Sequence, residues 1–314
     1  MSLIIPIGGS QQVNGDRQKS FDEIIPEVMI SLELSLLGIH SADLRKPSSF
    51  YCSNFINISD IGLVFGAYPD VLLNAWDKYD REVEGGSEND RPDIFSCPNQ
   101  HFILFECLNG GKPLEHFQPT SVDQASSIVR QTAFALMVAE AKLQFEHRDL
   151  HWGNVLVQST DEEFIEYLIP ECYFSVKSHG VRVCIIDYTL SRLSVKQTLE
   201  YYQDLSEEVA LFEGNGDYQF DVYRLMKQIL GNDWSRFNGR TNLAWLHYLI
   251  RKLLFEMKYS KGKSMAKLRP NQAKTLREME KQMMSSVDSV ADLIEDFNEF
   301  FNEENITRCL LNND

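Results

Sequence analysis

Six cysteines are present, Cys52, Cys97, Cys107, Cys172, Cys184 and Cys309, and no two of them form a C-x-x-C pair. Neither a zinc site nor a disulfide framework is suggested, and reduced thiols inside a cell are expected. No stretch approaches the roughly 18 uninterrupted apolar residues of a membrane span. The start, Met1-Ser2-Leu3-Ile4-Ile5-Pro6, lacks the charged lead and long apolar region of a signal peptide, so a soluble, non-secreted protein is expected. Positive charge is scarce too: 30 Lys and Arg stand against 46 Asp and Glu, for a net charge of −16. That balance argues against a nucleic-acid backbone as the main partner and admits a cationic one, although a solvated acidic surface is the plainer account. What remains is ample: 314 residues, 43% hydrophobic, can bury a full core and predict about two domains.

Ser20-Phe21-Asp22-Glu23 has the S-x-x-E form of a capping box, and Ile24, Val28, Leu32 and Leu36 follow at helical spacing. A helix is predicted to about Gly38, with a start shifted by a residue or two because Pro26 is tolerated only in a first turn. Glu82 to Asp93, with its glycines, acids and proline, reads as a loop. Phe102 to Leu108 reads as a buried strand, ended by Asn109-Gly110-Gly111, the expected domain boundary. A long helix is predicted from Val122 to Gln144, with short strands at Val155 to Val157 and Val183 to Ile186. Helices are predicted over Leu243 to Met257, Ala273 to Met284 and Val290 to Phe301.

The chemistry lies in His147-Arg148-Asp149-Leu150-His151-Trp152-Gly153-Asn154, followed by Ile185-Ile186-Asp187-Tyr188-Thr189. Phosphoryl transfer from ATP needs a carboxylate to take the proton of the attacking hydroxyl and oxygen ligands to hold Mg²⁺ on the phosphates. Asp149 can be the first, Asn154 and Asp187 the second. Taken singly, an Asp or an Asn more often caps a turn. The H-R-D-x-x-x-x-N spacing followed by an apolar strand ending in Asp reverses that order.

With these residues the chain resembles the eukaryotic protein kinases, and more closely the haspin group of histone kinases. The closer likeness is carried by Phe145 to Asn154, by Ile186-Asp187-Tyr188-Thr189-Leu190-Ser191-Arg192 where most kinases have D-F-G, and by Gly216 to Arg224; an A-P-E motif is absent, as in haspins. The resemblance implies an α+β, bilobal fold, with a truncated strand-containing N-lobe over residues 1–108 and a larger helical C-lobe over 109–314. It implies Asp149 as the catalytic base, Asn154 and Asp187 as metal ligands, and Glu27 as the C-helix glutamate that pairs with an ATP-binding lysine. Cys107 falls at the gatekeeper, and Leu108 to Gly111, Gly110 among them, at the adenine-facing hinge. Further implications are ATP and Mg²⁺ as cofactors and a threonine in a basic histone tail as substrate. Asp217 would help to bind the tail, with Asn215 standing where the family tends to have a second acid. Asp221 is more plausibly a structural support of the catalytic loop, and His147 and Trp152 are expected to pack. The implied setting is the nucleus, on chromosomes through the tail, with a cytoplasmic fraction, as a monomer, without membrane attachment or strong direct nucleic-acid binding.

Two family features are missing: a G-x-G-x-x-G loop, and a lysine on the following strand. Leu3 stands where that lysine is expected, 24 positions before Glu27, and Lys19 sits beside the helix cap, an unpromising substitute. Either the sequence is a piece of an active kinase or the chain has lost ordinary ATP clamping and binds basic tails as a pseudokinase. An N-lobe lacking its first strands is expected to leave a sheet edge exposed and to be of low stability. Small-molecule kinases of the aminoglycoside and choline type share His151 and Gly153, but Arg148 and the Tyr188 to Arg192 continuation favour a protein kinase. The cluster Lys258, Lys261, Lys263, Lys267 and Arg269 is expected to be a solvated loop rather than a DNA contact.

Overall fold

The structure is a computed structural model that describes residues 2–39, 49–95, 97–196, 198–259, 273–302 and 306–309, the last four by their backbone. Of the basic cluster only Lys258 falls within the described residues. In chain order the elements begin β1 (Ser2–Ile7), α1 (Phe21–Leu37), β2 (Tyr51–Cys52), β3 (Ile58–Phe65), α2 (Asp70–Glu82), β4 (His101–Cys107), β5 (Lys112–Pro113) and α3 (Val122–Leu143). Next come β6 (Val155–Ser159), β7 (Phe164–Ile169), β8 (Cys172–Lys177), β9 (Val181–Ile185), β10 (Arg192–Val195) and β11 (Leu199–Tyr202). The last are α4 (Val209–Glu213), α5 (Tyr218–Leu230), α6 (Arg240–Arg251), α7 (Lys274–Ser286), α8 (Val290–Asp296), α9 (Asn298–Asn302) and β12 (Ile306–Cys309). This is a mixed α+β chain. It divides into two compact units, Met1–Val28 with Ile58–Asn109, and Met29–Asn57 with Gly110–Asp314, so the C-terminal half of α1 and the segment after it group with the second unit.

The first unit is built on an antiparallel sheet in the order β1-β4-β3. Alternation sets its two faces. Ile5 and Ile7 of β1 and Ile103 and Phe105 of β4 pack with Ile24 and Val28 of α1. The capping box forms as a reciprocal pair, Glu23 N donating to Ser20 Oγ at 3.2 Å and Ser20 N to Glu23 Oε2 at 2.8 Å. The helix therefore starts at Phe21, and Pro26 lies inside it rather than in a later first turn. The cap and the packing of Ile24 and Val28 outweigh the one hydrogen bond that proline removes. Among the described residues the far edge of β1 pairs with no strand, Leu3 is half exposed and Phe65 largely so. On the sheet face away from α1, an apolar hollow of about 690 Å³ is lined by Ile4, Phe65, Leu72, Trp76 and Leu104, among others. The helix α2, whose apolar residues face that hollow, was hidden in the mixed composition of residues 40–100.

The second unit is organised around α3, which begins at the Ser121 cap and is buried along most of its length. One three-stranded sheet runs β5-β6-β9, and a second sheet runs β12-β8-β7-β2. β9 is an edge strand, yet its outward backbone groups are satisfied: Ile185 exchanges main-chain hydrogen bonds with Asn54 O at 2.6 Å and Ile56 N at 3.0 Å, and side chains serve the residues before it. Gln131 of α3 accepts from Val183 N at 2.9 Å and donates to Val181 O at 2.9 Å. Asn54 donates to Val183 O at 2.7 Å and in turn accepts from Tyr167 Oη at 2.7 Å. A buried unpaired peptide group costs about 1–3 kcal/mol, so this lattice fixes the strand that carries Asp187. The predicted C-terminal helices form with different ends: α6 gives way to a π-helical turn, Lys252–Glu256, and the predicted Val290 to Phe301 helix is broken into α8 and α9 at Phe297.

Candidate active site

β6 and β9 pair antiparallel with Val155 opposite Ile185, and the ladder continues one step as Ile186 N donates to Asn154 O at 3.1 Å. Asn154 and Asp187 thus emerge side by side from the same end of the pair. Asn154 Nδ2 donates to the main-chain oxygen of Asp149 at 2.9 Å and lies 3.4 Å from its Oδ2. The loop in between closes through Asn154 N to His151 O at 2.9 Å, and Gly153 N donates to His151 Nδ1 at 3.0 Å. A β-carbon at Gly153 would stand 2.7 Å from His151 Cε1, so a side chain there would have to displace the His151 ring. Asp149, Asn154 and Asp187, separated by up to 38 residues in sequence, are therefore brought together in one unit.

The loop is laced to the segment beyond β9. Glu146 and Arg192 exchange main-chain hydrogen bonds at 2.8 and 2.9 Å, Ser191 Oγ donates to His147 O at 2.8 Å, and His147 Nε2 lies 3.0 Å from Ile186 O. Burial pushes the His147 imidazole down to about 4, against the nearby Asp187 charge, so it is a neutral, packed support. Arg148 and Asp187 both have left-handed backbones, with φ of 65° and 64°, an uncommon state for residues with a β-carbon. Trp152 lies in a stack: the Lys252 ammonium sits over its ring at 4.6 Å.

Burial pushes the Asp149 carboxyl up to about 7, opposed by the hydrogen bond from Tyr223 and reinforced by the Asp187 charge. A carboxylate poised near neutrality is suited to proton transfer. Among the described residues no three His, Cys, Asp or Glu side chains gather as a metal cage. The donors on offer are the Asn154 amide oxygen and the Asp187 carboxylate, oxygen ligands that suit a hard cation such as Mg²⁺, which completes its shell with waters and phosphate oxygens.

In the first unit, Glu27 is nearly buried and Lys19 Nζ lies 2.8 Å from its Oε2. Lys19, read from the sequence as an unpromising substitute beside the helix cap, thus reaches Glu27. A parallel bridge from Ile7 to Lys19 and the bond from Gly8 N to Lys19 O set Lys19 against the start of α1, within reach of a residue two turns along. Leu108 is exposed. Gly110, by contrast, is buried, and a β-carbon there would meet Cys184 Sγ and Leu156 Cδ1 at 2.8 Å each.

Asp217 caps α5 by accepting from Gln219 N at 2.9 Å, and Lys252 Nζ lies 2.5 Å from its Oδ2. Burial opposes its ionisation, yet these hydrogen bonds carry the carboxyl below its usual range. Asn215 is exposed and its amide closes a local turn on Glu213 O. Asp221 pairs with Arg224 on the surface at 2.8 Å rather than supporting the catalytic loop. That support comes from Asn242 of α6, whose Oδ1 accepts from His147 N at 3.0 Å and whose Nδ2 donates to Phe145 O at 2.8 Å and Glu140 Oε1 at 2.9 Å. No local motif marked Asn242 or Glu140. A hollow of about 340 Å³ is lined by Glu115, His116, Trp152, Glu256 and Lys258, and Lys252 both pairs with Glu256 and covers the Trp152 ring.

Burial pushes the Glu140 carboxyl from 4.5 up to about 8. The folded chain then holds a proton that the unfolded chain loses above 4.5, so this group's contribution to stability is full below 4.5 and is lost as pH rises towards about 8. The slope is about 1.4 kcal/mol per pH unit at most. Glu140→Gln should flatten that decline, as read from urea unfolding at pH near 5 and near 8. An unchanged slope in the variant would show that Glu140 is not its source.

The site so assembled is that of the protein kinase class. The model of the haspin-like kinase domain matches residues 3–307. The chain is 44% identical over 258 residues to the mouse serine/threonine-protein kinase haspin, covering 82% of this chain and 33% of that protein. It is 40% identical over 256 residues to the haspin homologue of Drosophila melanogaster, covering 82% and 43%. For the Arabidopsis thaliana homologue the figures are 36% over 260 residues, 82% and 42%. The chain belongs to the haspin-like kinase domain family, and it spans between a third and just over two fifths of these relatives' lengths.

Proposed function

We propose that this chain is a serine/threonine protein kinase that transfers the γ-phosphoryl group of ATP–Mg²⁺ to a hydroxyl in a basic peptide of the histone-tail kind. The observation that carries the reading is the joining of Asp149, Asn154 and Asp187 at one end of the β6–β9 ladder. Asp149 accepts the proton of the attacking hydroxyl, and Asn154 and Asp187 hold the metal, which supplies charge neutralisation on the phosphates. Glu27 orders the nucleotide side, with Leu108 and Gly110 in the segment that meets adenine. Support for a basic substrate comes from the chain's excess of acids, a net charge of −16. Asp217 and the Asn215 turn adjoin the helix that would face such a tail. The proposed setting is the nucleus, on chromatin, as a monomer.

The test is incubation with labelled ATP and either a histone-tail peptide or amino-alcohol acceptors. Label on a peptide threonine, lost when its basic residues are replaced, supports the reading; label on the alcohols alone overturns it. Tail binding without any nucleotide affinity would make the chain a pseudokinase. A companion prediction concerns Leu3, which by alternation shares the face of Ile5 and Ile7 that packs on α1. Leu3→Lys should draw Glu27 away from Lys19 and raise kcat/KM for ATP, on the order of 100-fold if one phosphate-directed cation is what is missing. An unchanged kcat/KM would show that Lys19 already suffices.

A further inference from the structure

Tyr223, on α5, donates its hydroxyl hydrogen to Asp149 Oδ1 across 2.5 Å, a length found for hydrogen bonds to an ionised carboxylate. Its ring is nearly buried, with Trp245 edge-on at 5.2 Å and Phe220 tilted at 6.3 Å. Trp245 is itself fully buried on α6, its Nε1 3.2 Å from Met226 Sδ. The helix beneath Tyr223 is fixed at both ends, by the Asp217 cap and by a left-handed Gly231. The hydroxyl is thus delivered by a rigid support.

A carboxylate turns about a terminal torsion with broad, shallow preferences, so a catalytic aspartate does not hold its own orientation. Here the two oxygens are treated differently. Oδ1 takes the Tyr223 hydrogen, whereas Oδ2 has only the long contact from Asn154. We propose that Tyr223 is a positioning residue for phosphoryl transfer, its hydroxyl engaging Asp149 Oδ1 so that Oδ2 is the oxygen left to receive the substrate's proton; this inference rests on the kinase reading above. Burial and the Asp149 charge raise the phenol well above its ordinary range, so it remains a donor throughout the working pH range.

The test combines kinetics with proton NMR on the full chain. In wild type a downfield hydroxyl proton is expected, and it should disappear in both Tyr223→Phe and Asp149→Ala. Tyr223→Phe should lower kcat on the order of 10- to 100-fold, the cost of a misaligned base, with KM for ATP and for the peptide within about twofold of wild type. A purely structural tyrosine would instead alter KM and thermal midpoint together. Full kcat in a folded Tyr223→Phe chain, or a downfield proton that survives in Asp149→Ala, overturns the proposal. If Tyr223→Phe does not fold, the Asp149→Ala spectrum still decides whether the hydrogen bond exists. A wild type that shows the doubly lost resonance but labels no acceptor supports the hydrogen bond and overturns the kinase reading instead.

Discussion

Asp149→Asn is expected to lower turnover by roughly 10²- to 10⁴-fold, the range removed with a general base, while the affinities for ATP–Mg²⁺ and basic peptide stay close to wild type. The replacement keeps the shape of the side chain and an oxygen for Tyr223, and the main-chain oxygen that holds Asn154 is untouched. Only the proton acceptor is lost. The same argument gives a pH dependence. Burial raises the Asp149 carboxyl to about 7, so below that pH the free chain carries a protonated, inactive base. The kcat/KM of wild type should therefore rise through pH 7 to a plateau, and the residual rate of Asp149→Asn should lack that limb. A variant that keeps most of wild-type kcat would remove Asp149 from the chemistry.

The part of this site that was legible in the sequence is the part formed by local spacing. The loop from Asp149 to Asn154 closes through its own turn, and a short apolar run leading into Asp187 marks the third oxygen. The capping box at Ser20 and Glu23 was legible for the same reason. What could not be read depends on contacts between distant segments. Lys19 reaches Glu27 because a single bridge to Ile7 fixes the approach to the helix. Asn54 and Gln131, 77 residues apart, share the backbone of β9. Tyr223 stood in the sequence only within the Gly216 to Arg224 likeness, and nothing in its neighbours says that its hydroxyl ends at Asp149. The β7–β8 hairpin did carry a signal, two alternating runs joined at Pro170-Glu171.

Glu146→Ala is the substitution expected to cost the most stability, about 3–5 kcal/mol, the cost of a buried charge left without its partner. Both members of the pair are fully buried, with Arg148 Nε 2.6 Å from Glu146 Oε2. The guanidinium also donates to Trp234 O at 2.8 Å and Arg236 O at 3.2 Å and lies 5.5 Å from the Trp234 ring centroid. Glu146 Oε1 accepts from Asn238 N. Burial disfavours both charges, and each persists as the other's counter-ion. Here the Arg148 guanidinium is sealed by Glu146 and two carbonyls. With alanine at 146, Arg148 cannot shed its proton and must either stay charged in an apolar site or pull the catalytic loop open. The thermal midpoint should fall on the order of 10 °C. Replacing both partners by apolar residues of similar volume, Glu146→Leu with Arg148→Met, should recover much of the loss, because no charge is then stranded. Equal losses in the single and double variants would mean that the carbonyl contacts of Arg148, not its pairing with Glu146, hold the loop.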